Sequence, residues 1–319
     1  MTENHEENFQ VNPFSSTDGQ PDAKQIPVSN ALPRLWTAWT VIGVSFVVMI
    51  VVSVLAAFAY IMPHIVALIG NEVSNSESTE KLTDKFMTPE GFLATGFPPQ
   101  LAMLFIALAA GYYSPVPFKE RLGLTNSGLT GLQTLIVAIG AFLPAAIGMF
   151  FAWLLTFLID PDPTAMKLWQ NMTPGIAVPF VLFIALLPGF GEELLYRGYL
   201  QRRLLQRWSP GLAIFCSSLV FGLVHIMPHT VVFAFAVGLW LGYIAWKTSS
   251  IWPTILAHVL INGIWNIIHI SHNLVGYSDR IYYAILIGTL ILGVICFALS
   301  LPLLNRAQKE AIARDAIAV

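Results

Sequence analysis

Charged residues are scarce in this sequence. Asp, Glu, Lys and Arg make up only 11% of its 319 residues, whereas hydrophobic residues make up 56%. A soluble globular domain carries about 25% charged residues, so the composition indicates a multi-pass membrane protein. The formal net charge is −2 and the sequence has no basic patch, which argues against a nucleic-acid partner.

Three further features are scarce or missing. The sequence has few cysteines, and it shows neither the pattern of a secretory signal peptide nor a zinc-protease signature. The two cysteines, Cys216 and Cys296, lie in apolar segments, so we expect no structural disulfide. Residues 1–34 are polar and acidic and do not resemble a signal peptide. They predict a disordered cytosolic tail. The sequence contains no His-Glu-x-x-His motif.

Apolar runs, in contrast, are abundant, and they predict an all-α bundle of about eight transmembrane helices. A span needs about 20 mostly apolar residues, and the second run is short unless residues 92–97 lengthen it. We divide the chain into the tail (1–34), helices 1–3 (35–175), a core of helices 4–7 (176–275), and the last helix with a cytosolic tail (276–319). The predicted spans are residues 36–61, 101–113, 132–159, 176–200, 212–227, 230–246, 251–270 and 281–304.

The distribution of Lys and Arg predicts the orientation of the bundle. With the N-terminus inside, the inner segments hold eleven of these residues and the outer segments hold four. Cytoplasmic loops are enriched in Lys and Arg, so we expect both termini in the cytoplasm. The expected location is the cytoplasmic membrane of a bacterium.

The fourth predicted span contains three ionisable residues, Glu192, Glu193 and Arg197. Charges at bilayer depth cost at least about 2.5–3.5 kcal/mol each and usually mark a functional site. The alternative is that the helix ends near Pro188 and the charges lie among the lipid headgroups. Glu193 and Arg197 are four residues apart and can pair. Glu192 points about 100° away from Glu193 and is a candidate general base.

Two later spans carry further polar groups. The fifth contains His225, and the seventh contains His258 and Asn262, which share a helix face. A single histidine in an apolar helix is more often a packed residue than a ligand or a base. Intramembrane ionisable groups tend to face one another, so we expect the three spans to bring these residues together. Asn266 and His269 continue the stripe of His258 along the same helix.

Two mechanisms fit this set of residues. In the first, Glu192 and a histidine activate a water molecule, while His258 and Asn262 donate hydrogen bonds to the oxyanion. No cofactor is then needed. In the second, Glu192, His225 and His258 hold a zinc ion that lowers the pKa of its bound water to about 7.

The depths of Glu192 and His225 disagree if the spans end where hydropathy places them. Glu192 would lie about 9–12 Å from the end of its helix at Leu200. His225 would lie about 20 Å from the start of its helix at Leu212. A kink at Pro188, a tilt, or a helix that continues beyond Leu200 would bring the two side chains to one depth.

Three motifs in this order resemble those of the CPBP family, which includes CAAX prenyl proteases and bacteriocin-processing (Abi) proteins. The resemblance covers about residues 176–270, and all three motifs match without departure. The first 170 residues carry no motif that we identify. The motifs are Glu-Glu-x-x-x-Arg (Glu192, Glu193, Arg197), Phe-x-x-x-His (Phe221, His225) and His-x-x-x-Asn (His258, Asn262).

The resemblance implies an intramembrane endopeptidase with a cavity open towards the cytosol. It implies that Glu192 and His225 activate water, that His258 and Asn262 stabilise the oxyanion, and that Glu193 and Arg197 are structural. The implied partners are a peptide or membrane-protein substrate and the lipid bilayer. Two alternatives from other classes are a non-catalytic protein that binds a peptide or bacteriocin, and a proton-coupled transporter. The transporter is disfavoured because the two halves lack paired broken helices.

Overall fold

The computed structural model describes residues 34–69, 82, 84–161 and 164–317, and this part of the chain is helical without any strand. The predicted disordered tail lies outside the described residues except for Arg34. In chain order the helices are α1 (Leu35–Ile69), α2 (Pro89–Tyr112), α3 (Phe118–Arg121), α4 (Gly131–Gly140), α5 (Phe142–Leu155), α6 (Thr164–Gln170), α7 (Pro174–Glu192), a π-helix (Glu193–Gln201), α8 (Arg202–Leu205), α9 (Pro210–Leu223), α10 (Pro228–Thr248), α11 (Trp252–Val275) and α12 (Asp279–Ile317).

Seven helical units in the described residues are long and apolar enough to cross a membrane. This confirms an all-α, polytopic membrane protein. Large apolar side chains such as Val54 and Ile291 are exposed on the outer helices, where lipid can cover them. The units are Leu35–Ala67, Pro89–Tyr112, Gly131–Leu155, Pro174–Leu205, Pro228–Thr248, Trp252–Val275 and Asp279–Ala313.

Three predicted spans have different boundaries. The second begins at Pro89 rather than at residue 101, because Thr88 caps the helix by accepting a hydrogen bond from the Gly91 amide. The third consists of α4 and α5, which meet at Ala141. The fifth is only the 14-residue helix α9, about 21 Å long. That length is too short for a hydrocarbon core of about 30 Å.

Helices α9 and α10 form a hairpin whose turn carries His225. Helix α9 ends at Leu223, and α10 begins with Pro228 in its first turn. Between them Ile226 has a φ of 64°, which is an outlier for a β-branched residue. Backbone strain of this kind is concentrated at functional sites.

The π-helix lies at the centre of the bundle and is buried at every residue. It packs against α1, α2, α7, α9 and α10. A Cβ atom at Gly198 would meet the carbonyl oxygen of Leu122, so glycine lets the loop after α3 approach the π-helix closely. π-Helical turns often mark functional sites, and this one directly follows Glu192.

Candidate active site

The fourth span continues beyond Leu200, and this removes the disagreement in depth. Helix α7 runs through Pro188 to Glu192 without a break, and the π-helix and α8 extend it to Leu205. Glu192 therefore lies farther from the end of its helix than a boundary at Leu200 implies, and it lines the same cavity as His225. The alternative in which the helix ends near Pro188 is wrong, and both glutamates of the pair are buried.

One cavity of about 470 Å³ is lined by all four predicted catalytic residues, Glu192, His225, His258 and Asn262. Most of its wall is apolar, with contributions from α1, α2, α7 and α10 as well as from α9 and α11. Pockets that combine an apolar wall with a few convergent polar groups are typical of ligand sites.

Glu192 is held from two sides within this cavity. The side chain of Gln100, on α2, donates from Nε2 to Glu192 Oε1 at 3.1 Å. Glu192 Oε2 lies 3.7 Å from His258 Nε2. The residue is only 6% exposed, so its surroundings are those of a desolvated carboxylate with two defined neighbours.

Gln100 is the site residue that the sequence motifs missed. It lies upstream of the segment that resembles the family, beside the shortest of the predicted apolar runs. A polar residue that follows Pro98 and Pro99 in an apolar run was the one available sign. Its partner Glu192 lies 92 positions away in the sequence, and no local pattern connects residues at that distance.

Glu193 is completely buried and orients His258. It accepts a hydrogen bond from Arg197 Nη1 at 2.6 Å, the pair expected from the spacing. It also lies 2.9 Å from His258 Nδ1. Because an ionised carboxylate only accepts hydrogen bonds, Nδ1 of His258 carries a proton and Nε2 is the atom directed at Glu192. A buried carboxylate that fixes a histidine tautomer is a recurrent feature of catalytic sites.

Arg197 connects the π-helix to α9 and α10. Its guanidinium lies over the Phe221 ring at 4.1 Å and donates from Nη2 to the carbonyl oxygen of Gly238 at 3.4 Å. A Cβ atom at Gly238 would lie 3.3 Å from Nη2, so this glycine makes room for the arginine. A charged side chain that is only 1% exposed thus has a carboxylate, a carbonyl and an aromatic face as partners.

Phe221 lies at the meeting point of the three motifs. Besides Arg197, its ring touches His225 and His258, with centroids 5.2 Å and 5.9 Å away. Its carbonyl oxygen lies 2.8 Å from His225 Nδ1. A carbonyl can only accept, so Nδ1 of His225 donates and Nε2 is left as an acceptor. The bond forms because α9 ends at this point and frees the Phe221 carbonyl.

Asn262 and Asn266 form a second polar wall of the cavity. Asn262 donates from Nδ2 to the carbonyl oxygen of Ile184 at 3.1 Å. Asn266 donates to the carbonyl oxygen of Asn262 and accepts from Trp169 Nε1 on α6. His269, the next member of the predicted stripe, packs between Trp169 and Trp265 instead of lining the cavity.

The proposed zinc ligands are not gathered into one binding set. Across the described residues, no three His, Cys, Asp or Glu side chains are placed to hold a metal ion together. Glu192 and His258 are close enough to share an ion, but His225 does not complete the set. This donor arrangement does not fit zinc, so we derive no step through a metal.

Comparison with known proteins shows which family the central segment is similar to. Residues 174–264 match the family described as type II CAAX prenyl endopeptidase Rce1-like. The uncharacterized protein YpbD of Bacillus subtilis (strain 168) is 24% identical over 170 residues, which is 52% of this chain and 84% of that protein. No solved structure matches the chain.

The matched segment contains the three motifs and confirms the resemblance that they predict. Residues 174–264 are similar to this protease family, which is consistent with the CPBP type, and they lie in an integral membrane protein. Helices α1 and α2 lie outside this segment, and they contribute Ser53 and Gln100 to the same cavity.

Proposed function

We propose that this protein is an intramembrane endopeptidase in which Glu192 is the general base. The observation that carries the proposal is the single apolar cavity that gathers Glu192, His225, His258 and Asn262. Charges act strongly within such walls because little water screens them. The type II CAAX prenyl endopeptidases to which the segment is similar support the same reaction class.

Water activation is the role that the geometry supports for Glu192 and His225. The hydrogen bond from Gln100 fixes one carboxylate oxygen of Glu192, and His225 Nε2 faces the cavity as an acceptor. The water oxygen attacks the carbonyl carbon of the peptide bond while its proton passes to Glu192. Glu192 then returns this proton to the amine that leaves.

Oxyanion stabilisation is the role that we propose for Asn262 and His258. Asn262 uses one Nδ2 hydrogen for the Ile184 carbonyl, and the second is available for the tetrahedral intermediate. His258 gives its Nδ1 hydrogen to Glu193. Its Nε2 atom can therefore donate a hydrogen bond to the oxyanion only when the imidazole carries a proton on both ring nitrogens.

The substrate class that we propose is a peptide or a membrane-protein segment cleaved near the cytosolic membrane face. The eleven basic residues of the inner segments support an orientation with both termini in the cytoplasm. This orientation requires the α9–α10 hairpin to begin and end on the cytoplasmic side. A bacterial cytoplasmic membrane is the location that agrees with the relative from Bacillus subtilis.

Cleavage of a quenched fluorescent peptide library by detergent-purified protein tests the proposal. We expect cleavage that persists when a strong zinc chelator is added, because the described residues do not gather a zinc set. Loss of cleavage with the chelator and recovery with zinc would establish the metal mechanism instead. If the protein cleaves neither the library nor lipidated peptides, the result would favour a non-catalytic binding protein.

Gln100 acts in this proposal as a positioning residue. Its Nε2 atom is bonded to Glu192, while its Oε1 atom is buried and receives no hydrogen bond from the described residues. We expect Gln100→Leu to lower kcat by roughly 10–100-fold, since hydrogen bonds to charged groups contribute about 1.5–3 kcal/mol. KM should change little, because the amide acts through Glu192. Steady-state kinetics as a function of pH measures both quantities.

Thr95→Val is the matched control for this variant. Thr95 lies on the same helix and bonds only to carbonyl groups of its own helix. It does not line the cavity. Equal losses of kcat in the two variants, or a Gln100→Leu variant with an unchanged pH profile, would contradict the positioning role.

A further inference from the structure

A second group of charged side chains surrounds Tyr199 at the end of the bundle where α3 and α8 lie. Arg121 is only 2% exposed, and its guanidinium lies 5.0 Å from the centre of the Tyr199 ring. Its Nε and Nη2 atoms are buried without a hydrogen-bond partner in the described residues, as is Nε of Arg203. A buried donor without a partner is unfavourable, so these atoms indicate a missing acceptor.

The charged side chains near Arg121 are mostly positive, as Arg121 is. Burial lowers the pKa of Arg121 to about 10, and Arg203 and Arg202 act in the same direction, while the Tyr199 side chain opposes them. Arg121 and Arg203 thus lie within range of each other's positive charge. An anionic group between them would offset this repulsion, because a buried charge needs a counter-charge.

The position of this group indicates a lipid rather than a free ion. The span Pro174–Leu205 ends beside Arg203, and the turn after α2 exposes Tyr112 and Tyr113, which are 75% and 83% accessible. Exposed aromatic rings at the ends of spans are typical of the headgroup layer. Arg203 is only half-buried, so a headgroup can approach along its exposed side.

We propose that Arg121 and Arg203 bind the phosphate of an anionic lipid headgroup. Guanidinium groups offer parallel N–H donors that match two phosphate oxygens. The ring of Tyr199 lies beside the guanidinium of Arg121 and helps to position it. The site lies apart from the cavity that contains Glu192, since neither arginine lines that cavity.

Native mass spectrometry of the full chain, with phosphatidylglycerol titrated against phosphatidylcholine, tests this site. We expect preferential retention of phosphatidylglycerol and a rise in melting temperature as it is added. Arg121→Gln and Arg203→Gln should each weaken the apparent affinity for phosphatidylglycerol by roughly 10–100-fold, which corresponds to about 1.5–3 kcal/mol for a charged hydrogen bond. Lys119→Gln is the matched control, because Lys119 is exposed on the same short helix as Arg121.

Three outcomes would overturn the proposal. The first is an unchanged affinity for phosphatidylglycerol in Arg203→Gln, which removes a half-buried side chain and is the variant less apt to disturb folding. The second is an equal loss in Lys119→Gln, which would show only diffuse attraction to the surface. The third is equal stabilisation by inorganic phosphate, which would make a free anion the ligand.

Discussion

Glu192→Gln is expected to lower peptide cleavage by roughly 10²–10⁴-fold, the range that general acid–base groups contribute. The amide has nearly the shape of the carboxylate but does not take a proton from water. It can still lie between Gln100 and His258, so the melting temperature should change little. Cleavage of the peptide library and a thermal unfolding curve, recorded on the same preparation, measure the two effects.

Glu90→Gln is the control for this experiment. Glu90 lies in the first turn of α2 and is exposed, so its replacement should leave cleavage unchanged. A Glu192→Gln protein that retains cleavage would show that Glu192 is not the base. A protein that loses cleavage only because it unfolds would be recognised by its melting temperature.

Arg197→Met is expected to destabilise the folded protein by about 3–5 kcal/mol, the range seen when one partner of a buried ion pair is removed. Glu193 would stay buried beside His258 without its ion-pair partner. The contact with Phe221 and the bond to Gly238 would also be lost. Thermal unfolding in detergent, followed by intrinsic tryptophan fluorescence, measures the change.

Arg306→Met provides a matched comparison, because Arg306 and Glu310 form a pair with the same spacing on α12. That pair is exposed, at 74% and 44% for the two side chains, and exposed pairs contribute at most about 1 kcal/mol. Similar losses in the two variants would contradict the burial argument. Recovery of stability in Glu193→Gln combined with Arg197→Met would support it, since no charge is then left unpaired.

The sequence predicted the candidate site better than it predicted the helices that carry it. Glu193 and Arg197 are four residues apart, and helix geometry alone places them in contact. The fifth span was predicted to continue to Met227 because the run from Leu212 to Met227 is mostly apolar. Hydropathy does not detect that α9 ends at Leu223, just before the strained turn at Ile226.

Gln100 shows a second limit of prediction from one sequence. Its role depends on the packing of α2 against α7. Contacts between helices that are far apart in the sequence produce no periodic pattern of residues. The same limit applies to Trp169, which binds Asn266 from a helix outside the predicted spans.

Composition and local spacing determined that this is a helical membrane protein and which ionisable residues share a helix face. Those properties follow from the cost of charge in lipid and from the 3.6-residue turn, which act within one segment. Tertiary structure decided the depth of Glu192 and His225, the acceptor atom of each histidine and the second partner of Glu192. These depend on which carboxylates, carbonyls and amides of other segments lie within hydrogen-bonding distance, and only the packed bundle brings those groups together.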